Sequence, residues 1–331
     1  MIFYCLINYN NSEDTFNCLK SIPEKISEDY KVLILDNGSD EISYSKLLNL
    51  IDNNNFQISN HCFKKVLQDF KPNSLSYDDV HIIDDQEIKC EKKIFVIRSQ
   101  MNLGFPRGCQ NIVDILINRL NLMEEDKLLF LNNDTFISKN AIERTKNFVN
   151  KNPLSVVSPS ICFEHNGKIK NWYNGGKVSK FRGSAYHLNM GEDIKLLEEF
   201  SETDFITGCF LMLKAKPFIK KEIEWFGDLF LYADDIDICE SLKKKGYKLF
   251  VDKNSLIFHV VSGSQKQVKK SSLNYYTTRN RFHIIDKHFK SYTVIFYIYI
   301  IFSRVIKLII NLDMSALDGI KDGFSRKKGK R

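Results

Sequence analysis

The sequence predicts an α/β protein with a doubly wound, mainly parallel sheet. Two observations lead to this fold class. Short apolar runs alternate with segments of helical periodicity through the first half of the chain, and polar, turn-forming residues follow each run. This alternation is typical of βαβ units, in which helices connect parallel strands. With 331 residues, of which 43% are hydrophobic, the chain is long enough for one large domain with additions.

The first half supplies the parallel strands. Strands are predicted at residues 2–7, 32–35, 94–97 and 128–131, and helices at 14–22 and 108–120. The second helix has apolar residues at Ile112, Ile115, Leu116 and Leu120, which is a helical spacing. Residues 52–93 are polar and weakly periodic, so we expect an insertion there, with one short helix near residues 61–70.

The second half predicts a smaller mixed β region followed by helices. Strands are predicted at residues 156–163, 176–181, 209–213, 249–251 and 256–261, and a helix at 235–245. We therefore expect one main domain over residues 1–262 and a C-terminal helical region over residues 263–331.

Positive charge is concentrated at the C-terminal end. The formal net charge is +7, and from Asp286 onwards ten Lys and Arg residues stand against four Asp, a local balance of +6. Such a tail suits an anionic membrane surface or a nucleic acid, or simply keeps the protein in solution. The adjoining residues 292–310 are apolar, but the uncharged part, 291–303, is short of the roughly 20 residues that cross a bilayer. We expect an interfacial amphipathic helix at an anionic membrane, without nucleic acid binding; a core helix or a homodimer contact is the alternative.

The eight cysteines are scattered without a CxxC pair, which is typical of reduced core residues in a cytosolic protein and not of a zinc site. Met1 leads directly into an apolar run, with no basic leader or cleavage site. The expected location is therefore the cytoplasm, peripheral at the cytoplasmic face of the inner membrane.

The residues after each predicted parallel strand are candidates for ligand binding, because such sheets bind ligands at the carboxyl ends of their strands. They are Asn8-Tyr9-Asn10, Asp36-Asn37-Gly38-Ser39, Asn102-Leu103-Gly104 and Asn132-Asn133-Asp134. Asp134 suits a hard divalent cation, which prefers oxygen ligands, or it is only a helix cap.

Three further groups of residues are candidates for chemistry. Asp234, Asp235 and Asp237 either include a general base or are the acidic first turn of a helix. His259 precedes a polar Ser262-Gly263-Ser264 turn and is either a ligand or a structural histidine. A third group, Arg107, Arg279, Asn280 and Arg281, is suited to contact anionic groups, since Arg matches phosphate geometry, or forms surface ion pairs.

In order along the chain, these motifs resemble the family 2 inverting glycosyltransferases of GT-A fold, especially the rhamnosyltransferase-like branch. The resemblance covers about residues 1–290. Its motifs are Ile7 to Asn10, Asp36 to Asp40, Asn102 to Gly108, Leu131 to Thr135, Trp172 to Gly176, Thr207 to Met212, Phe230 to Cys239, His259 to Ser264, and Tyr275 to Asn280. Asn132 stands where the family's metal motif has its first Asp, and Asp234 stands where the family has Glu.

The resemblance implies a role for each candidate. Asp235 matches the catalytic base, and Asp134 with His259 matches the site of Mg²⁺ or Mn²⁺. Residues implied to bind the nucleotide sugar are Asn8, Tyr9, Asn10, Asp36, Asn37, Asn102, Gly104, Phe105, Arg107, Asn133 and Arg279. Residues implied to support the acceptor or the base are Asp234, Asp237, Trp172, Gly175, Gly176 and Gly208. The implied fold is a GT-A sheet with a smaller acceptor-side mixed β region and C-terminal helices.

The expected activity is transfer of a sugar from dTDP-rhamnose or a UDP-sugar to a hydroxyl of a glycan or lipid-linked acceptor in surface polysaccharide synthesis. A sugar-phosphate nucleotidyltransferase is a second hypothesis, but the first strand is followed by Asn8 to Asn11 and not by a Gly-rich basic loop. A catalytically inactive carbohydrate-binding relative is a third. No GxGxxG follows the first strand, which argues against an NAD enzyme.

Overall fold

A large twisted sheet forms the centre of the protein. The computed structural model describes residues 1–23, 28–53, 80–83, 93–261, 270–311 and 314–331. The strands are β1 (Ile2–Asn8), β2 (Tyr30–Asp36), β3 (Val80–Ile83), β4 (Ile94–Arg98), β5 (Lys127–Asn132), β6 (Thr135–Phe136), β7 (Ser155–His165), β8 (Lys168–Tyr173), β9 (Gly176–Ser179), β10 (Ser184–His187), β11 (Phe200–Glu202), β12 (Phe210–Lys214) and β13 (Lys248–His259).

The helices cover both faces and the C-terminal end. They are α1 (Ser12–Ser21), α2 (Glu41–Asn53), α3 (Phe105–Arg119), α4 (Lys139–Lys151), α5 (Lys216–Ile219), α6 (Asp234–Lys244), α7 (Lys270–His288), α8 (Thr293–Asn311) and α9 (Ser315–Phe324). Short 3-10 turns lie at Lys180–Arg182, Gly227–Leu229 and Lys290–Tyr292.

The strand order places the carboxyl ends of the first-half strands along one edge. Strands β3, β4, β2, β1 and β5 are parallel neighbours in that order. Antiparallel β12 lies between β5 and β7, and β13 runs parallel to β7. The central strands are apolar and buried throughout, as expected for parallel strands covered on both faces. The predicted α/β fold with a mainly parallel sheet is confirmed.

Several predicted boundaries differ from the structure. The strands predicted at 249–251 and 256–261 are one strand, β13, with an irregularity between Asp252 and Leu256. The strand predicted at 176–181 ends at Ser179, where the 3-10 turn begins. Part of the expected insertion, β3, is the edge strand of the main sheet. The helix expected near 61–70 and the Ser262 to Ser264 turn lie outside the described residues.

The C-terminal helices pack on the main domain through a second apolar core. Ile236 of α6 shares this core with Phe282 and Ile285 of α7 and with Phe296 and Ile300 of α8. The helix that begins with Asp234 is therefore held between the sheet and the C-terminal helices. In the ranges described, no helix combines the length and apolar character that crossing a bilayer requires.

A buried ion pair fixes the strand that ends at His259. Arg144 of α4 donates from Nε to Asp252 Oδ2 at 2.7 Å and from Nη2 to Oδ1 at 3.0 Å. Asp252 is fully buried at the irregularity of β13, where the Ser255 hydroxyl also donates to it at 2.6 Å. The guanidinium of Arg144 therefore compensates the negative charge of the buried Asp252 carboxylate.

Replacing Arg144 with alanine should lower the free energy of unfolding by about 3 kcal/mol, because Asp252 would keep a buried charge without its partner. Denaturant unfolding followed by circular dichroism measures this change. Lys151→Ala, at the exposed end of the same helix, is the control and should change the free energy by less than about 0.5 kcal/mol. Equal effects of the two substitutions would contradict the assignment.

Candidate functional site

A hydrogen-bond network of buried side chains joins the ends of the parallel strands. Asn8, the last residue of β1, donates from Nδ2 to Asp36 Oδ1 at 2.7 Å and to Ser39 Oγ at 3.3 Å. The Thr15 hydroxyl donates to Asn8 Oδ1 at 2.8 Å and accepts from Asn133 Nδ2 at 2.7 Å. Asp36 is fully buried, so its carboxylate organises this edge and faces the protein interior.

The loop before α3 is fixed by amide side chains. Asn37 Oδ1 accepts from Leu103 N at 2.9 Å, and its Nδ2 donates to the Gly104 carbonyl at 3.2 Å. Asn102 Oδ1 accepts from Gly104 N at 2.8 Å. Gly104 has a φ of +81°, and a Cβ there would lie 2.4 Å from the Phe230 carbonyl oxygen. The close approach of this loop to Phe230 therefore requires glycine.

Asp134 and His259 are brought together by pairing of β6 with β13, in which Thr135 lies opposite His259. Asp134 Oδ1 and His259 Nε2 are 3.0 Å apart, and both side chains are buried. His259 Nδ1 is buried without a hydrogen-bond partner in the described part of the chain. The Trp172 ring lies edge-on between His259 and His187, with both centroids 4.5 Å away.

Asp14 of α1 adds a second acidic group beside this pair. Desolvation raises the pKa of Asp14, the Asn11 side chain lowers it by hydrogen bonding, and Asp134 raises it further while His259 lowers it. Asp14 itself is partly exposed, whereas Asp134 and His259 are buried. Nevertheless, no three His, Cys, Asp or Glu side chains converge as a ready-made metal-ligand set within the described ranges.

Asp234 and Asp235 form a coupled carboxyl pair at the start of α6. Burial raises the pKa of Asp235 to about 6, while hydrogen bonds from the Gly208 backbone, the Thr207 hydroxyl and Asp234 hold it down. Burial also raises the pKa of Asp234, and the neighbouring charge of Asp235 raises it further. The two carboxyls therefore titrate as a pair, and each is harder to ionise than a solvated aspartate.

Gly208 allows the carboxylate of Asp235 to lie against the start of β12. A Cβ at Gly208 would be 2.8 Å from Asp235 Oδ1 and 3.2 Å from the Phe105 ring. Burial raises the pKa of the thiol of the neighbouring Cys209. The nearby charges of Asp134 and Asp235 raise that pKa further. Both carboxylates therefore lie near Cys209, which directly precedes β12.

Asp237 lies on the other side of α6. It is buried and accepts from Lys287 Nζ at 2.9 Å and lies 2.7 Å from His288 Nε2. Asp237 thus anchors α6 to the end of α7.

The loop that directly precedes Asp234 and Asp235 has a strained backbone. Phe230, Tyr232 and Ala233 have φ values of +65°, +66° and +67°, in the region that disfavours residues with a side chain. Asn280 Nδ2 contacts three carbonyl oxygens of this loop, those of Leu229, Leu231 and Tyr232, at 3.0, 2.7 and 2.9 Å. The loop conformation, and with it the position of the acid pair, therefore depends on α7.

Arg279 supports the same loop from inside the protein. Its guanidinium is fully buried and donates to the Leu229 carbonyl at 2.8 Å and to the Gly329 carbonyl at 2.6 Å. It also lies over the rings of Tyr275 and Tyr276, with centroids 5.6 and 5.0 Å away. In this structure the buried guanidinium of Arg279 therefore holds the loop and the C-terminal segment around Gly329 together.

Two other residues predicted on the donor side are exposed. Arg107 is 57% exposed and lies 3.3 Å from Asp228, and Tyr9 is 40% exposed. The backbone N–H of the adjacent Asn10 donates to Ser39 Oγ at 2.9 Å. The side chains of Arg107 and Tyr9 are therefore accessible to a ligand from solvent.

The glycine pair before and at the start of β9 packs against Thr203 and Phe205. Gly175 has a φ of +97°, and a Cβ at Gly176 would lie 2.0 Å from the Phe205 ring. The Thr203 hydroxyl accepts from Gly176 N at 2.7 Å. This turn fixes the hairpin of β9 and β10 beside Trp172.

Two residues of the site, Asp14 and Thr15, were not among the predicted ones. Thr207 and Asn280 belong to predicted motifs, and Asn280 was expected to contact anionic groups. Asn11, Asp14 and Thr15 share one face at helical spacing, so the first turn of α1 already carried a signal. Nothing in the sequence pattern around Asn280 indicates that its amide holds the loop before Asp234.

Two solved structures share this fold. The crystal structure of GalNAc-T7 with UDP, GalNAc and Mn²⁺ has a TM-score of 0.60 and 12% sequence identity over 88% of this chain, which spans only 49% of that chain. The structure of TarS 1–349 from S. aureus has a TM-score of 0.50 and 11% identity, covering 97% of this chain and 78% of that one. No protein-family model and no curated protein sequence matches the chain. Both neighbours are GT-A glycosyltransferases, and the chain has the GT-A fold.

Replacing Asn280 with alanine should release the loop of residues 229–233. Leaving buried carbonyls without a donor costs about 1–3 kcal/mol, which corresponds to roughly tenfold faster opening of the loop or more. Hydrogen–deuterium exchange of the loop amides measures this change. Thr277→Ala, which removes a hydroxyl bonded to carbonyls of its own helix, should leave the loop exchange unchanged. Unaltered exchange in Asn280→Ala would show that α7 does not hold the loop.

Proposed function

We propose that the protein is an inverting glycosyltransferase of the rhamnosyltransferase-like branch. It moves a sugar from dTDP-rhamnose or a UDP-sugar to a hydroxyl of a glycan or lipid-linked acceptor. The observation that carries the proposal is the position of the Asp234–Asp235 pair at the start of α6, where Gly208 leaves room for the Asp235 carboxylate and burial raises the pKa of both carboxyls. The GT-A fold supports it, as does the UDP present in the GalNAc-T7 structure.

Asp235 acts as the general base. The Asp235 side chain is partly exposed. Its ionised carboxylate takes the proton of the acceptor hydroxyl as that oxygen attacks the anomeric carbon. The bond from the sugar to the diphosphate breaks as the new glycosidic bond forms, through a transition state of oxocarbenium character. One displacement of this kind inverts the anomeric configuration.

Asp134 and His259 are suited to hold Mg²⁺ or Mn²⁺. The fit rests on an oxygen and a nitrogen donor that lie 3.0 Å apart, with the carboxyl of Asp14 nearby. Two protein ligands are enough for a hard cation that keeps waters and substrate phosphates as its other ligands. When bound, such an ion neutralises charge on the leaving diphosphate, and the GalNAc-T7 structure contains Mn²⁺.

The donor and the acceptor occupy opposite sides of the sheet edge that the carboxyl ends of the parallel strands form. The network of Asn8, Asn37 and Asn133 with the Asn102 loop supports a donor side near the parallel strands. The Gly175–Gly176 turn beside Trp172 supports an acceptor side. We assign the reaction to surface polysaccharide synthesis at the cytoplasmic face of the inner membrane, which the amphipathic C-terminal region supports.

A screen of nucleoside diphosphate sugars, with released nucleotide as the readout, should identify the donor. With that donor, Asp235→Asn should reduce transfer by at least roughly a thousandfold, since general base catalysis and the local geometry are both lost. Nucleotide binding measured by calorimetry should persist. The wild-type rate should fall as the pH drops below about 6, because protonation removes the base.

The matched control is Asp193→Asn, which removes an exposed carboxylate paired with Lys170 and should leave transfer unchanged. Near-normal turnover in Asp235→Asn would refute its role as the base. Absence of turnover with every donor would instead count against the glycosyltransferase proposal as a whole.

Asp134→Asn and His259→Ala should remove the dependence of nucleotide affinity on the metal. For the wild-type protein, titration of the nucleoside diphosphate in the presence of EDTA should show at least roughly tenfold weaker binding than with Mn²⁺, a change of about 1.4 kcal/mol. Both variants should bind weakly under either condition. If EDTA leaves wild-type affinity unchanged, these two residues do not hold a metal.

A further inference from the structure

The outer face of α8 is apolar and exposed. Val294, Ile295, Ile298, Ile301 and Phe302 are between 44% and 75% exposed. They lie at helical spacing along one side, while Phe296 and Ile300 on the other side are buried in the C-terminal core. An exposed apolar stripe of this length is typical of a contact surface.

Three arginines from three elements lie around Tyr299, which follows Ile295 by one helical turn. Arg182 ends the 3-10 turn after β9, Arg281 lies on α7 and Arg304 lies on α8. The Arg182 guanidinium lies 5.3 Å from the centroid of the Tyr299 ring. Arg281 interacts electrostatically with both Tyr299 and Arg182, and Arg304 interacts with Arg281 and Tyr299. We call these three residues the arginine cluster.

In the part of the chain that the structure describes, the arginine cluster has no acidic partner. Among the described residues, none of the three forms an ion pair with a carboxylate, and Arg304 Nε is buried without an acceptor. Burial lowers the pKa of Arg304 to about 10, and the charge of Arg281 lowers it further. Adjacent cations without a counterion are unfavourable in a folded protein, and sites that bind anions show this pattern.

The basic tail, in contrast, is neutralised within the chain. Four of its cations form ion pairs with nearby carboxylates: Arg326 with Asp286, Lys327 with Asp322, Lys328 with Asp228, and Arg331 with Asp318. Gly329 N donates to the Asp228 carbonyl at 2.7 Å, so this segment is also bonded to the main domain. The terminal charges expected from the sequence to face a membrane are therefore largely compensated.

We propose that the arginine cluster binds the phosphate of a lipid whose hydrocarbon chain lies along the exposed face of α8. Charge complementarity favours this occupant, because Arg presents several donors that match phosphate oxygens. Tyr299 links the two features, because it contacts Arg182 and lies one helical turn from Ile295 and Phe302 of the apolar stripe. The turn carrying Arg182 follows the hairpin strand that begins at Gly176, so the site lies on the proposed acceptor side.

The test measures binding to vesicles and does not require transfer activity, so it stands apart from the test of the glycosyltransferase proposal. Co-sedimentation is compared between vesicles of phosphatidylcholine alone and vesicles that also contain phosphatidic acid. The triple variant Arg182→Gln, Arg281→Gln, Arg304→Gln should bind the anionic vesicles roughly 100-fold more weakly than the wild type. The matched control, Lys327→Gln, Lys328→Gln, Lys330→Gln, should bind them like the wild type.

Two further variants separate a binding role from a structural one. Arg304→Gln should keep or raise the melting temperature, because it removes an uncompensated buried charge; a role in folding would lower it. Arg182→Gln, on an exposed turn, should weaken vesicle binding without any effect on folding. Ile298→Ser should also weaken vesicle binding, whereas Ile42→Ser, an exposed apolar residue on α2, should not.

Three results would overturn the proposal. The first is unchanged vesicle binding in the arginine variant, or its loss in the Lys variant instead. The second is equal affinity for inorganic phosphate with no effect of Ile298→Ser, which would indicate a site for free phosphate. The third is a dimer in solution that Ile298→Ser dissociates without any vesicle binding, which would assign the apolar face to a second copy of the chain.

Discussion

The bonds from Arg279 and Asn280 to the carbonyl oxygens of residues 228–232 are the interaction on which the candidate site depends. Three residues in this loop adopt positive φ without being glycine, a conformation that persists only where surrounding contacts enforce it. The loop leads directly into Asp234 and Asp235, and its Phe230 carbonyl accepts from Phe105 N at 2.9 Å. One set of hydrogen bonds thus connects the acid pair, the loop beside the proposed donor and the C-terminal helices.

The sheet brings together groups that are far apart in the chain. Asp134 follows a parallel strand of the first half, and His259 ends a strand of the second half. Strand β12 lies between these two halves, and Cys209 just before it lies near both Asp134 and Asp235. In the proposed reaction the leaving diphosphate and the general base act on opposite faces of the anomeric carbon, so that groups from both halves are required.

Charge is distributed differently from what the composition suggests. The terminal cations are paired with carboxylates of the same chain, and so they contribute to docking of the tail on the main domain. Internal arginines, of which Arg281 was already a candidate for contact with anions, form the group without acidic partners among the described residues. An ion pair within the chain weakens the attraction of its cation for an external surface, whereas a cluster of like charges strengthens it. The position of a charge relative to its neighbours, and not the local count, decides what it attracts.

The sequence by itself determined the α/β class, the positions of most strands and the candidate residues at the strand ends, because periodicity and turn chemistry are local properties. It also singled out Asp134, His259 and Asp235. Only the tertiary structure decided that Asp237 faces Lys287 and His288, that Arg279 is buried, and that three arginines share one place. Those outcomes depend on which helix packs against which, and such contacts between distant segments leave no period in a single sequence.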